Sequence, residues 1–318
     1  MLSAAIALVG AVVYGSADFF GGLAARRLRS IVVTALSAFA GLVALAVALP
    51  FVGGVWSLED VLWGILAGGF GVIAIALLYA CLAIGPMSIL SPLTAVVSAI
   101  APMVWGLTIG GESLAPLGYV GLAVALIAVV LVGFVPGEKV VRPQPRGVVM
   151  GVGAGLAIGA FLIVMDNTSD ASGLVPLLMS RTTSTVVTTI IVGTLMVAAV
   201  RRGRRATTVW DVAGAPLGAT PSGRADLEHV DLPALPLPIT RTRAVWFAVV
   251  CGVLDAAANA LMLVALRLGD LSIVSALTAL YPAGTILLAA VVLRERVARV
   301  QWLGLALALV AGGMLGLA

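Results

Sequence analysis

Histidine and cysteine are nearly missing from this sequence. His229 is the single histidine, and Cys81 and Cys251 are the two cysteines of 318 residues. Both cysteines sit inside apolar runs with no partner at metal-ligand spacing, which argues against a zinc site or a disulfide framework. They read as small buried apolar side chains. His229 stands in a polar, proline-containing stretch and reads as a solvated loop residue. Most hydrolytic and metal chemistries therefore lack their usual parts, and no catalytic residue, metal or cofactor is expected. Charge is scarce as well: only 10% of the residues are charged, against 62% hydrophobic. A water-soluble globule carries roughly 25% charged residues, so a soluble enzyme, a disordered chain and a nucleic-acid-binding protein are all excluded. The net charge is only +4. No nucleic-acid partner is expected, because the basic residues are placed as membrane orientation requires.

What fills the sequence is long apolar runs. A helix crossing a bilayer needs about 20 mostly apolar residues. Ten segments qualify: 3–24, 31–52, 60–83, 88–110, 114–135, 146–166, 173–199, 244–267, 271–293 and 298–317. The first has no basic region before it, so it reads as a span rather than a cleaved signal. β-Barrel strands would be about 10 residues long and alternate in polarity, which these runs do not. The expected fold is an all-α polytopic membrane protein of ten helices. Residues 200–243 form the one long polar segment, with five prolines and seven arginines, and read as an extended loop.

The connections can be numbered by the spans they join. Odd connections hold sixteen of the eighteen Lys and Arg, leaving only Arg181 and Arg267 elsewhere. Even connections carry Glu59, Asp60, Glu112, Asp166, Asp170 and Asp270 instead. The positive-inside rule places the odd connections, including 200–243, in the cytoplasm and both termini outside. The expected location is the cytoplasmic (inner) membrane, with the lipid bilayer as the first partner.

The chain also repeats itself. Residues 85–95 read GPMSILSPLTA and residues 269–279 read GDLSIVSALTA, agreeing at seven of eleven positions. With a one-residue slip, Glu112 pairs with Glu295, Tyr119 with Trp302 and Gly121 with Gly304; upstream, Trp63 pairs with Trp246. Spans 1 and 6 share a small-residue stripe, Ser3, Ala7, Ala11 and Gly15 in one and Gly147, Gly151, Gly155 and Gly159 in the other, which suits close helix packing in lipid. The reading is two five-helix units: residues 1–137, and residues 138–318 with 200–243 as an insertion. Five is odd, so the second unit is inserted upside down. Inverted repeats are characteristic of secondary transporters, because exchanging the conformations of the halves exchanges inward-open and outward-open states.

On these features the chain resembles the drug/metabolite transporter superfamily, EamA-type branch, over essentially its full length outside 200–243. The resemblance is carried by the two five-helix halves and by Tyr14-Gly15-Ser16, where the family often has Trp-Gly. The Gly-x-x-Ser-Ile motif opening spans 4 and 9 carries it too. So do Gly111-Glu112 and its counterpart Arg294-Glu295-Arg296-Val297, followed by Gln301-Trp302-Leu303-Gly304. It implies a small-molecule exporter or exchanger with a central cavity, spans 1–4 and 6–9 forming the core and spans 5 and 10 peripheral.

Ionisable groups at membrane depth are costly, about 2.5–3.5 kcal/mol at a span centre on insertion scales, and each asks for a reason. Asp255 lies about 16 Å into span 8, with Asn259 one turn on along the same face. It reads as a site for a cationic substrate group or an exchanged proton, or else as a structural partner of Arg181. Arg181 reads as a fork for a substrate carboxylate or phosphate, as the partner of Asp255, or as a side chain reaching outward. Asp18 reads as locally paired with Arg26-Arg27. Spans 4 and 9 carry Ser91, Thr94, Thr278 and Tyr281 beside prolines that permit bending, and form a hinged polar wall or reseal their own backbone. Tyr14 and Tyr79 supply aromatic lining. Glu112 and Glu295 are expected to cap the helix that follows each of them. Asp166, Arg267 and Asp270 lie at the outer boundary, where they could form a gate.

These readings converge on a secondary transporter of a small polar metabolite such as an amino acid, working by alternating access. A proton or counter-substrate is its possible second partner, and no phosphate-binding loop suggests ATP. Efflux of lipophilic cations and a non-transporting membrane assembly subunit are the competing readings. Substrate identity, direction and oligomeric state are not encoded in any motif.

Overall fold

The computed structural model describes residues 1–84, 87–133, 145–203, 205–210, 240–292 and 298–317, without the side chains of residues 79, 82–84, 87–89 and 91. The side chains of Tyr79 and Ser91, the whole of His229 and Glu295, and most of 200–243 therefore lie outside the described residues.

The described residues form helices and no strands. They run α1 (Leu2–Ala25), α2 (Ser30–Val52), α3 (Leu58–Ile84), α4 (Met87–Thr108), α5 (Pro116–Gly133), α6 (Pro145–Asp166), α7 (Val175–Arg201), α8 (Arg241–Leu268), α9 (Leu271–Thr278), α10 (Tyr281–Val292) and α11 (Arg299–Leu317). Short 3-10 turns occur at Asp170–Ser172 and Ala206–Val209. In lipid a backbone must satisfy itself, which makes helices of these Leu-, Ala- and Val-rich runs. Pro116 and Pro145 open α5 and α6, and Pro176 sits in the first turn of α7, where a missing N–H costs nothing. Nine stretches among the described residues are long and apolar enough to cross a membrane, α9 and α10 counting as one. α4 is 22 residues long and apolar over Pro92–Thr108. Exposed Phe39, Val47, Leu66 and Leu309 leave helix flanks that suit lipid rather than water.

The ninth span departs from the sequence expectation of one helix over 271–293. It breaks after Thr278 and restarts at Tyr281. Pro282 has no N–H to give the Thr278 carbonyl, so the ladder fails at that step. α4 has Pro92 and Pro102 inside it and still runs unbroken. Proline is thus not sufficient; the tight crossing described next supplies the rest.

Helices of the two halves interleave. Span 1 packs on spans 8 and 9, and span 6 packs on spans 3 and 4. Span 2 packs on span 8 as span 3 does on span 7. Spans 2 and 7, 4 and 9, and 5 and 10 pair with each other. Exchanging span n with span n + 5 turns this set of contacts into itself. The crossings are close in both halves. A Cβ on Gly15 would land on the Tyr281 carbonyl and the Thr285 amide, and a Cβ on Gly155 on the Thr94 carbonyl. At each crossing a threonine hydroxyl donates to a glycine carbonyl: Thr285 Oγ1 to Gly15 at 3.1 Å, and Thr94 Oγ1 to Gly151 at 3.0 Å. The small-residue stripes are therefore contact faces.

Candidate functional site

A cavity of about 320 Å³ lies at the centre of the bundle. Spans 1, 2, 3, 4, 6, 7, 8 and 9 supply its walls; α5 and α11 supply none of the described lining. Toward the even-connection end the lining ends in Leu162, Leu177 and Met262, all buried. Toward the odd-connection end it reaches Ile31, the second residue of α2, and Ile191, which is 37% exposed. Buried side chains close the lining at the first end.

The seal is built from the even connections. The Val55 amide donates to the Ala171 carbonyl at 2.8 Å, and the Ser169 amide to Asp60 Oδ1 at 2.8 Å. Arg267 donates to the Gly173 carbonyl at 2.8 Å and to Ser172 Oγ at 3.1 Å, with Asp170 4.0 Å away. Glu112 accepts from the Leu271 amide at 2.7 Å and the Ser272 amide at 3.1 Å. It thus caps α9, in the opposite half of the chain, and not the following helix as the sequence suggested. Gly111 takes a positive φ of 72°, which turns the chain back so that the carboxylate lies over Gly106 and reaches across. Asp270, just before α9, has its carboxyl pushed above the ordinary value of 3.8 by burial and then by the charge of Glu112.

Arg181 and Asp255 form an ion pair in the cavity wall, each side chain 19% exposed. This geometry realises the pairing that the sequence left open beside the substrate-binding readings. The Asn259 side chain donates to the Asp255 carbonyl at 2.8 Å and lies within hydrogen-bond reach of the Tyr14 hydroxyl. Thr278 and Tyr281 also line the cavity, as does buried Asp18. α1 thus presents Tyr14 toward Asn259 and Gly15 against Tyr281, so the polar face of α8 and the break of the ninth span flank one turn of α1.

Residues 230–316 match the family model of the EamA-like transporter family, part of the drug/metabolite transporter superfamily. Together with the apolar spans, that match makes the chain similar to EamA-like membrane proteins over its last quarter. Twenty-eight solved chains match its fold. One, described only as a crystal structure of a protein, has a TM-score of 0.68 and 15% identity and covers 99% of this chain and 96% of its own. That likeness concerns the fold. No curated protein matches the sequence.

Of the residues singled out from sequence, the central cavity gathers Asp255, Asn259, Arg181, Tyr14, Thr278 and Tyr281. Thr94 is not among its lining residues: its hydroxyl donates to the Leu90 and Gly151 carbonyls, and it ties α4 to α6. Sequence reasoning missed a row of hydroxyls on α7. Ser180, Ser184 and Thr188 recur every four residues on one face and line the cavity below Arg181. Their spacing was the available signal. Thr188 donates to the Ser184 carbonyl, and on α2 Ser37 donates to the Thr34 carbonyl, which leaves hydroxyl lone pairs for a ligand's donors.

Proposed function

We propose that this chain is a secondary transporter of a small amphoteric metabolite of the amino-acid type, acting by alternating access in the cytoplasmic membrane. The observation that carries this is the Arg181–Asp255 ion pair in the wall of a central cavity. A solute with one carboxylate and one ammonium group can take each partner's place: its carboxylate on the planar fork of Arg181, its ammonium on Asp255. The two buried charges then stay compensated with or without solute, so occupation costs little electrostatically. A volume near 320 Å³ lies at the lower end of the range for small-molecule pockets, which suits one small solute.

The contact set that maps onto itself between spans n and n + 5 supports reading residues 1–137 and 138–318 as two inverted repeats. Closure at the even connections supports one conformation of a two-state cycle. With the odd connections cytoplasmic and both termini outside, this is the state closed to the outside. Protons or a counter-substrate drive the cycle, and the chain is not an enzyme. The test is uptake into proteoliposomes from a mixed pool of amino acids, sugars, nucleotide sugars and organic cations, read by mass spectrometry. Accumulation of amphoteric solutes over empty vesicles is expected. Retention of none of them, by protein that is still folded, overturns the reading.

A second reading, efflux of lipophilic cations, draws on the apolar walls from Ile75, Ile158 and Phe161 beside Asp255. It predicts protection of cells by a variant with Arg181 intact, lost on Asp255→Asn.

A further inference from the structure

The repeat sets Thr94 and Thr278 at equivalent positions, and the structure uses them differently. Thr94 spends its hydroxyl on two backbone carbonyls. The Thr278 hydroxyl is buried, finds no hydrogen-bond partner and belongs to a residue that lines the cavity. Buried polar atoms are seldom left unpaired, and each needs an explanation. Its own carbonyl is freed as well, because the residue four ahead is Pro282. In the first half the position equivalent to Pro282 is Ser98, and α4 continues through it. Thr278 is also the last residue of α9, where the partial negative charge of the helix end collects.

We infer that the break of the ninth span is an oxygen-lined subsite for a primary ammonium group, and that this group belongs to the transported solute. The inference rests on the proposed transport function and deepens it. An ammonium has three donors and needs three acceptors. Asp255 supplies one, and the carbonyl and hydroxyl of Thr278 supply the other two. Asp255 and the break flank the same turn of α1, through Tyr14–Asn259 on one side and Gly15–Tyr281 on the other. Unwound segments and helix C-terminal ends hold cations in this way in transporters built from broken helices. The subsite selects for the amine: a solute with a hydroxyl in its place has one donor and leaves two acceptors unfilled.

Binding to the purified full-length protein in lipid nanodiscs, read as thermal stabilisation, tests this. The probes are amino acids, the matching 2-hydroxy acids, methylammonium, and sodium chloride against an equal concentration of N-methylglucamine chloride. Wild-type protein is expected to prefer an amino acid to its hydroxy acid by at least tenfold. Thr278→Val is expected to erase that preference by weakening the amino acid alone, and Thr278→Ser, which keeps the hydroxyl, to restore it. Pro282→Ala returns an N–H to the Thr278 carbonyl and is expected to act like Thr278→Val. Equal binding of amine and hydroxy acid by wild type, or equal weakening of both by Thr278→Val, overturns the subsite and leaves transport standing. If no amphoteric solute binds, the transport reading fails. Methylammonium then decides the subsite alone: stabilisation lost in Thr278→Val supports it, and none overturns it. Sodium stabilisation with the same sensitivity assigns the oxygens to an inorganic ion and overturns the ammonium assignment.

Discussion

The Arg181–Asp255 pair gives the sharpest separation of structure from transport. Removing one partner of a buried pair leaves an uncompensated charge and costs about 3–5 kcal/mol. Both side chains are 19% exposed, so water in the cavity softens this, and about 3 kcal/mol is the reasonable figure for either Arg181→Gln or Asp255→Asn. The double variant holds two neutral amides that can hydrogen-bond each other, so its loss is expected to be no greater than that of either single change. The cycle then returns a coupling energy of at least about 3 kcal/mol, well above the roughly 0.5 kcal/mol at which distant sites depart from additivity. The measurement is reversible unfolding in mixed micelles for the four proteins, alongside proteoliposome flux. If the charges are the solute's handles, the double variant regains stability and transports nothing. Coupling below about 0.5 kcal/mol would falsify the pairing argument. Full flux from the stable double variant would leave the pair structural and remove it from the proposed mechanism.

Four further changes probe the frame around the cavity. Gly15→Ala sets a methyl on the backbone of Tyr281 and Thr285 and is expected to cost about 1–3 kcal/mol or more as overpacking. Gly193→Ala, with open space around its Cβ, is expected to be neutral or to stabilise by up to about 1 kcal/mol through helix propensity; equal melting of the two variants would contradict the close crossing. Glu112→Ala removes the cap of α9, at a cost of about 1–2 kcal/mol. It is expected to raise labelling of a Ser272→Cys probe by a water-soluble maleimide, and unchanged labelling refutes a sealing role. Asp270 has a raised carboxyl pKa, so its neutral form favours the closed structure. Its contribution is full at low pH and fades as pH rises through the raised value. Melting temperatures across the acidic range are expected to show this slope in wild type and a shallower one in Asp270→Asn.

The spans were legible because apolar runs of about 20 residues admit few other fates. Asp255 and Arg181 were legible for a related reason: a charge at membrane depth costs enough that it must be compensated or used. The α7 hydroxyls were harder, since serine and threonine can satisfy themselves on their own helix and so carry no penalty that marks them. The partner of Glu112 was out of reach altogether. Its contact joins residues 159 and 160 positions apart, and nothing local distinguishes a carboxylate that caps the next helix from one that reaches another half of the chain.

The broken ninth span shows where local reading ends for a physical reason. Hydropathy across 271–292 is continuous, and two prolines inside α4 break nothing. What differs is the neighbour. α1 presses the Gly15 backbone onto the Tyr281 carbonyl and draws a hydrogen bond from Thr285. These contacts hold the second piece in place and let the ladder fail where Pro282 has already weakened it. At the repeat-related crossing, Gly159 lies against the Ala101 and Pro102 side chains, and Ser98 stands where the second half has Pro282. Close crossings in both halves therefore go with a straight helix in one half and an opened one in the other. Two halves with matching contacts and unlike ninth and fourth spans make the two ends of the cavity unlike. A bundle whose halves were identical in conformation would treat both ends alike. The asymmetry lies in one proline and the carbonyl it frees, which is why Pro282→Ala is expected to alter both ligand preference and the balance between the two ends.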